Sequence, residues 1–308
     1  MKRVKGTGKF KISKKMNAYK NLQKPLIILK KNRMKIEENL NIYYDEQIDQ
    51  RDIKHYYQTR SNLNYSFNKL HELVKRTHKN QLPYFLSKDM YLYTWVDLQP
   101  NGTVKSIYSG MVEDPQTLIR EDFNTIKQRH EMFQTALMST MSKAEINLKL
   151  KRIEWELKMN TEHIVPQSWF GGREPMKGDL HHLFACQRDC NTSRSNFPYT
   201  DFSFYVPESP NERIQNQCGL AMEGLFEPEY GKGVVARAML YFLLRYPKAI
   251  KKSTLKRMNL SVLLRWNQEF EVSLYERHRN QAIYRIQGNR NPFIDFPELV
   301  EKIEFPIG

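Results

Sequence analysis

Thr161-Glu-His-Ile-Val-Pro-Gln-Ser-Trp-Phe170 begins a short region of three polar motifs that decides how this chain is interpreted. The second motif is Gly178-Asp-Leu-His-His-Leu183, and the third is Cys190-Asn-Thr-Ser-Arg-Ser-Asn-Phe-Pro-Tyr199. Together they bring a histidine, a carboxylate, an amide and arginines into one part of the sequence. A proton acceptor beside oxygen ligands and guanidinium groups is a combination that suits hydrolysis of a phosphodiester.

The rest of the chain has a basic, globular composition. It contains 308 residues, with 49 Lys and Arg against 34 Asp and Glu, a formal net charge of +15 and 40% hydrophobic residues. This length suits one large domain or two small ones. The excess of positive charge favours a polyanionic partner, either nucleic acid or an anionic membrane surface, although solubility alone is the simpler explanation.

Neither a membrane span nor an export signal is expected from the sequence. No run of about 18 apolar residues occurs, and the apolar stretch Pro25–Leu29 is too short for a signal-peptide core and is followed by two lysines. We therefore expect a cytoplasmic protein without a membrane partner. Cys186, Cys190 and Cys218 are too few for a disulfide framework in a chain of this length, although one pair could form after export.

The order of predicted elements indicates one mostly helical α+β domain behind a basic arm. Residues 1–36 contain no Asp or Glu, so we expect residues 1–40 to be a disordered arm and residues 41–308 to fold together. A β-hairpin is predicted from strand-like residues 91–97 and 104–108, which flank the turn Pro100-Asn-Gly102. Apolar spacing and capping residues predict helices at 65–77, 119–138, 142–158, 234–244, 259–269 and 272–287.

His163 is the candidate general base. An imidazole with an ordinary pKa near 6.5 can accept a proton at neutral pH, and hydrolysis needs a base that activates water. A single histidine is far more often an ordinary surface or core residue, so its neighbours decide the interpretation. Glu162 precedes it, and neighbouring strand residues point to opposite faces unless the strand ends, as Pro166 makes it do. At such a corner the carboxylate could hold a metal while the imidazole faces substrate; a solvated charge is the plainer alternative.

Asn191 is the second candidate metal ligand. Residues 179–183 are predicted to form a second short strand, and Asp189–Ser193 consists largely of residues that are typical of a helix start. A carboxylate, an amide oxygen and water suit Mg²⁺ or Ca²⁺ and suit Zn²⁺ poorly. An ordinary N-cap explains Asn191 equally well.

Two further features of the region leave alternatives open. Arg173, Arg188 and Arg194 surround the motifs, and any of them could stabilise charge on a phosphate. A competing metal site combines histidine and cysteine side chains, with Cys-x₃-Cys in a spacing that zinc sites use: His181, His182, Cys186 and Cys190. The alternative hypothesis is therefore a non-catalytic nucleic-acid-binding protein with a structural zinc.

The three motifs resemble those of the endonuclease I family of ββα-metal (His-Me finger) nucleases. Glu162-His163-x-x-Pro166-Gln-Ser168, Gly178–Leu183 and Asn191-x-x-Arg194-x-Asn196 carry the resemblance. It continues in three further segments, so that it spans roughly residues 65–303: Tyr91–Gly110, Lys232–Arg237 and Gln287–Pro297. The motif His-His-Leu-Phe-x-Cys186 resembles the secreted ribonuclease branch of Gram-positive bacteria.

The resemblance implies a ββα-metal core over residues 160–200 and a largely non-specific endonuclease. Such an enzyme cuts DNA, RNA or both with one Mg²⁺, or with Mn²⁺ or Ca²⁺, and leaves 5′-phosphates. Carried over to this sequence, His163 is the general base, Glu162 and Asn191 hold the metal, and Arg173 lies near the scissile phosphate.

The resemblance leaves the nucleic-acid contacts and the compartment open. Arg188, Arg194 and Arg290 are expected to contact nucleic acid, although a turn at residues 289–292 explains Arg290 equally well. Family members are usually exported, which conflicts with the missing signal sequence. An unusual export route, a delivery partner or an inhibitor is therefore expected.

Overall fold

The computed structural model of this chain describes residues 22–58, 66–138, 160–205 and 217–306, with a few isolated positions from 142 to 152. Within these residues the architecture is mostly helical with small antiparallel strand pairs, which confirms the predicted α+β class. None of the described helices has the length and apolar character needed to cross a membrane.

The described helices and strands follow in chain order. The helices are α1 (Gln23–Glu38), α2 (Glu46–Tyr57), α3 (Phe67–Thr77), α4 (Tyr84–Leu86), a π-helix that continues α4 (Ser87–Val96), α5 (Pro115–Met138), α6 (Gln167–Phe170), α7 (Arg188–Arg194), α8 (Lys232–Arg245), α9 (Lys252–Leu255), α10 (Leu260–Glu269), α11 (Leu274–Gln287) and α12 (Pro292–Asp295). The strands are β1 (Val104–Lys105), β2 (Val112–Glu113), β3 (Thr161–His163), β4 (Leu183–Ala185), β5 (Gly219–Met222) and β6 (Leu225–Pro228).

Helix α8 lies at the centre of the largest hydrophobic cluster among the described residues. It is apolar almost all round, so it can be buried on every side, and it packs most extensively against α10. Its buried arginine, Arg237, meets the carboxylate of Glu276 in two hydrogen bonds of 2.6 and 2.9 Å. The predicted helices at 234–244, 259–269 and 272–287 correspond to α8, α10 and α11, with boundaries that differ by a few residues.

The first strand of the predicted hairpin at residues 91–108 is wrong, whereas its turn forms, with the Gly102 N–H donating to the Gln99 carbonyl at 2.9 Å. Ser87–Val96 is a π-helix, which ends with a hydrogen bond from the Asp97 N–H to the Leu92 carbonyl. β1 pairs with β2 instead, and Leu98 makes only an isolated bridge to Val104. The aromatic and β-branched residues that suggested a strand are buried against α1, α5 and β4, so tertiary packing decided the conformation.

The predicted disordered arm differs from the structure over residues 23–38. These residues form α1, which buries Pro25, Leu29 and Ile36 against the π-helix and α5. Arg33 donates to the Gly102 carbonyl at 2.8 Å and pairs with Asp114 at 2.8 Å. A sparse apolar stripe is thus enough to fold a strongly basic segment; the predictions for residues 1–21 lie outside the described residues.

The helix predicted at 142–158 lies largely outside the described residues, but its first turn is visible. The Ser142 N–H donates to Glu145 Oε2 at 2.8 Å, and the Glu145 N–H donates to Ser142 Oγ at 3.3 Å. This reciprocal pair is the capping box that the sequence predicts.

Candidate active site

The three sequence motifs meet at a two-stranded sheet followed by a helix. β3 and β4 are antiparallel, with Glu162 opposite Phe184 and His163 opposite Leu183, and α7 begins shortly after β4. The second strand starts later than residues 179–183, because Leu180–His182 form a 3₁₀ turn whose first N–H groups are capped by Asp179. The pairing of β3 with β4 thus brings His163 of the first motif beside Leu183 of the second.

His163 is buried and held by the loop that precedes Gly178. Its Nε2 lies 3.0 Å from the Lys177 carbonyl oxygen, and its Nδ1 lies 3.3 Å from the Gln167 amide nitrogen. Because a carbonyl can only accept, we assign the proton to Nε2 and the lone pair to Nδ1. The Tyr84 ring, 5.0 Å away, completes the contacts that fix the imidazole plane.

The surroundings of His163 favour its neutral form. Burial lowers the pKa of His163 well below its ordinary value, and the positive charge of nearby groups, His182 first among them, lowers the pKa further. The hydrogen bond to the Lys177 carbonyl acts in the opposite direction but does not outweigh burial. A neutral imidazole with a lone pair on Nδ1 is the state that can accept a proton.

Glu162 points to the other face of β3, as the alternation of strand residues requires. Its side chain is 4% exposed. The Tyr108 hydroxyl donates to Glu162 Oε1 at 2.8 Å, and Arg194 Nη1 lies 3.4 Å from the same oxygen. The plainer alternative of a solvated charge is therefore wrong, because the carboxylate is enclosed and held by two partners.

Asn191 lies within α7, on the turn of the helix that contacts β3. Its Nδ2 donates to the Thr161 carbonyl at 2.9 Å, while Arg194, three residues later on the helix, pairs with Glu162. α7 begins at Arg188 with Gln187 as its N-cap, so the N-cap explanation of Asn191 is wrong. Its nitrogen is committed to the strand backbone, and its oxygen is the atom with which the amide would bind a cation.

The structure separates the candidate arginines into buried and accessible ones. Arg194 is fully buried, donates to the Ile164 carbonyl at 2.8 Å and pairs with Glu162. Arg173 is exposed, and its Nε donates to the Phe170 carbonyl at 3.3 Å; Arg188 is half-buried, and its Nη2 lies 3.6 Å from a carboxylate oxygen of Glu121.

Arg290 is also enclosed within the fold. It is fully buried, and its guanidinium donates to Asp49 at 2.9 Å and to both carboxylate oxygens of Asp295 at 2.7 and 2.8 Å. The predicted nucleic-acid contacts of Arg194 and Arg290 therefore need correction, since both charges are neutralised inside the fold.

The alternative zinc cluster is not assembled. Cys190 is joined in a disulfide to Cys218, and Cys186 is a buried thiol outside it. His181 Nε2 and His182 Nε2 face the carbonyl oxygens of Asn289 and Met176 at 3.2 and 2.6 Å. Among the described residues, no group of three or more His, Cys, Asp or Glu side chains is placed to share a metal ion.

The sequence motifs do not reveal the residues from other parts of the chain that contact Glu162 and His163. Tyr108 is 54 residues from Glu162, and Tyr84 and Lys177 belong to segments with no motif of their own. The one local signal was Gly178: a Cβ there would lie 1.9 Å from the Leu82 carbonyl oxygen, so only glycine fits beside the Lys177 carbonyl.

The part of the chain that contains the three motifs is also similar in sequence to known proteins. The sequence model of one protein family, described as Endonuclease I, matches residues 64–298. An extracellular ribonuclease of Bacillus amyloliquefaciens is 32% identical over 160 residues, which are 47% of this chain and 53% of that protein. Endonuclease-1 of Buchnera aphidicola subsp. Baizongia pistaciae is 29% identical over 168 residues, covering 47% of this chain and 62% of the relative.

An extracellular deoxyribonuclease of Aeromonas hydrophila gives a similar match. It is 29% identical over 170 residues, which are 48% of this chain and 67% of the relative. The chain thus spans about half to two thirds of the length of these relatives.

Proposed function

Since the chain belongs to the endonuclease I family, we propose that it is a metal-dependent, largely non-specific endonuclease that hydrolyses phosphodiester bonds of DNA, RNA or both. The observation that carries the proposal is the arrangement of Glu162, His163 and Asn191 around β3. The imidazole of His163 is held by the Lys177 carbonyl, while α7 brings Asn191 to the Thr161 carbonyl and Arg194 to Glu162. The names of the relatives, which record both ribonuclease and deoxyribonuclease, support either polymer as substrate.

His163 would act as the general base. Its Nε2–H bond to the Lys177 carbonyl leaves Nδ1 to accept a proton, and the contact of Nδ1 with Gln167, at 3.3 Å, is long enough for a water to replace it. As the water oxygen bonds to phosphorus, its proton passes to Nδ1, the P–O3′ bond breaks, and the leaving O3′ takes a proton from a solvent water. The products would carry a 5′-phosphate and a 3′-hydroxyl.

Glu162 and Asn191 fit a hard divalent cation. A carboxylate and an amide oxygen, completed by waters, are ligands that Mg²⁺ accepts, and Mn²⁺ and Ca²⁺ share the preference for oxygen. When bound, the ion would supply Lewis-acid stabilisation to the phosphate and the leaving oxygen. Tyr108 and Arg194 hold Glu162, and the Thr161 carbonyl holds Asn191, so both ligands are oriented before any ion arrives.

Arg173 is the accessible arginine that best suits the scissile phosphate. It lies on the loop whose carbonyl at Lys177 supports His163, and its guanidinium is anchored through Nε to Phe170. The two terminal nitrogens would then meet the phosphate oxygens, where negative charge grows during the reaction.

The disulfide favours action outside the reducing cytosol. Cys190, beside Asn191, is bonded to Cys218, and disulfides persist mainly in oxidising compartments. Five of the relatives are named as extracellular or periplasmic enzymes. We therefore propose an exported protein in place of the cytoplasmic one that the sequence suggested.

The test compares the wild-type protein with His163→Ala on plasmid DNA and single-stranded RNA, with Mg²⁺ or with EDTA. Removal of the base should lower the rate on the order of 10²- to 10⁴-fold. His130→Ala, which changes a histidine on α5 outside the site, is the matched control and should cut at the wild-type rate. Cutting that survives EDTA, or that His163→Ala retains in full, would contradict the proposal.

A further inference from the structure

A basic cavity adjoins the loop 173–178, which also holds His163. It has a volume of about 630 Å³ and opens to solvent. Its lining includes the cationic side chains of Lys75, Arg76 and Arg245. Glu72, Pro175 and Tyr246 also line it. Its volume lies within the range of about 300–1,000 Å³ that is usual for ligand sites.

Arg245 is the unusual member of this lining. It is the last residue of α8, is 7% exposed, and lies with its guanidinium 4.5 Å from the centre of the Tyr246 ring. Among the described residues no hydrogen bond or ion pair reaches this guanidinium, and its Nε is buried without an acceptor. A buried charged donor without an acceptor is destabilising, so its presence at a cavity points to an anion that comes from outside.

The carboxylates around the cavity already have partners other than Arg245. Asp179 accepts hydrogen bonds from two tyrosines and a glutamine at 2.7 to 3.0 Å. Glu72 lies 3.4 Å from Lys75, and Glu174 accepts a backbone N–H at 2.8 Å. Lys75, Arg76 and Arg245 against Glu72 leave the lining with a net charge of +2. An anion with several acceptor oxygens would satisfy it.

We propose that Lys75, Arg76 and Arg245 form a phosphate subsite, which binds a phosphodiester of the strand that is cut at His163. This inference rests on the proposed function. Pro175, in the wall, is two residues from Lys177, whose carbonyl holds His163 at 3.0 Å. Two residues of chain span at most about 7 Å, so the wall of the cavity and the support of His163 belong to one short loop. The subsite would therefore hold a phosphate of the same strand other than the scissile one.

The geometry also explains why arginine ends α8 at this position. A planar guanidinium can offer a phosphate two parallel hydrogen bonds, which a lysine cannot. Lys75 and Arg76 are exposed on the last turn of α3 and add charge without a fixed geometry. The subsite thus combines one fixed donor with two flexible ones.

The test measures binding rather than cleavage, in the His163→Ala background. The variant Lys75→Gln/Arg76→Gln is compared with Arg51→Gln/Lys69→Gln, which removes the same two charges from exposed positions outside the cavity. A fluorescent single strand of about twelve nucleotides and a trinucleotide are titrated over a range of salt concentrations. Each lost phosphate contact on a single strand lowers the slope of log K against log salt by about 0.7.

We expect the slope for the long strand to fall by about 1.4 and its affinity at 0.1 M salt to fall roughly 10- to 30-fold in Lys75→Gln/Arg76→Gln. The control should change neither, and the trinucleotide should bind the two variants equally. Equal slopes for both variants on the long strand would overturn the inference. Because no cleavage is required, this result is independent of a failure of the proposed function, which wild-type protein inactive on every polymer would show.

A second arm distinguishes the strand from free phosphate and examines Arg245 directly. Inorganic phosphate is titrated into the wild-type protein by calorimetry, and Arg245→Lys is tested against the long strand after its folding is checked by thermal unfolding. Weak phosphate binding with a several-fold loss of strand affinity in Arg245→Lys supports the subsite. Tight phosphate binding that disappears in Lys75→Gln/Arg76→Gln, with strand affinity unchanged, would assign the cavity to free phosphate instead.

Discussion

Tyr108→Phe removes one hydroxyl from the support of Glu162. That hydroxyl is fully buried and donates to Glu162 Oε1 at 2.8 Å, while Arg194 Nη1 lies 3.4 Å from the same oxygen. A hydrogen bond to a charged acceptor contributes about 1.5–3 kcal/mol. Loss of a group that orients a metal ligand lowers metal affinity or activity by about 10- to 100-fold. The substitution should therefore weaken both the fold and the response to Mg²⁺.

The assay separates these two effects. Initial cleavage rates are measured over a range of Mg²⁺ concentrations, and stability is measured by denaturant unfolding. Tyr241→Phe is the matched control, because the Tyr241 hydroxyl donates to a buried carboxylate, Asp179, at 2.7 Å away from the proposed metal ligands. Both variants should lose about 1.5–3 kcal/mol of stability, but only Tyr108→Phe should require about 10- to 100-fold more Mg²⁺ for half-maximal rate.

One result would contradict a metal-binding role for Glu162. If Tyr108→Phe loses stability as Tyr241→Phe does but keeps the wild-type Mg²⁺ requirement, Glu162 does not hold the metal. An equal rise in the Mg²⁺ requirement of both variants would show a general effect of destabilisation and would refute it equally.

Three further predictions concern residues beside the candidate site: Gly178, His181 and the disulfide-bonded Cys190. Gly178→Ala should lower the free energy of unfolding by about 2 kcal/mol or more, because its Cβ would lie 1.9 Å from the Leu82 carbonyl oxygen; a denaturant midpoint measures this. Burial lowers the pKa of His181 to about 4. The unfolded state therefore takes up a proton first, and stability present above pH 6.5 should fall by about 3 kcal/mol as the pH drops to 4, since each pKa unit corresponds to about 1.4 kcal/mol; His181→Gln should flatten that dependence. Cys190→Ser should lower stability by about 3–4 kcal/mol through release of the Cys218 loop, as reduction of the wild-type protein should, in thermal unfolding with and without reductant.

Each of these predictions has an outcome that contradicts it. An unchanged midpoint for Gly178→Ala would mean that the loop moves away from Leu82. An unchanged slope between pH 4 and 6.5 in His181→Gln would assign the acid sensitivity to other groups. For the disulfide, Cys186→Ser is the control, since this thiol lies outside the bond, and equal losses in Cys186→Ser and Cys190→Ser would show a packing effect rather than release of the loop.

Much of the fold follows from local periodicity. The helices α8, α10 and α11 were predicted because their apolar stripes decide burial within one element. Residues 91–97 were misassigned because aromatic and β-branched residues suit a strand as well as a buried helix, and only the packing of α1 and α5 around them decides between the two. The helical part of the predicted arm failed for a related reason, since its burial depends on partners that come later in the sequence.

The candidate site shows the same division. Glu162, His163 and Asn191 were identified because strand, turn and helix follow one another within one short region. The roles of Arg194 and Arg290 were not visible, because their partners come from other parts of the chain, up to 241 residues away for Arg290 and Asp49. Local sequence shows that an arginine is present, but it does not show whether a carboxylate elsewhere neutralises it.

The central claim is that Glu162 and Asn191 hold one divalent ion across β3 from His163. The most direct measurement is an anomalous difference map from crystals of His163→Ala grown with Mn²⁺, which replaces Mg²⁺ at oxygen sites. If Glu162 and Asn191 hold the ion, we expect one peak about 2.0–2.3 Å from a carboxylate oxygen of Glu162 and from Asn191 Oδ1. A peak on other residues, or no peak at these two at saturating Mn²⁺, would contradict it.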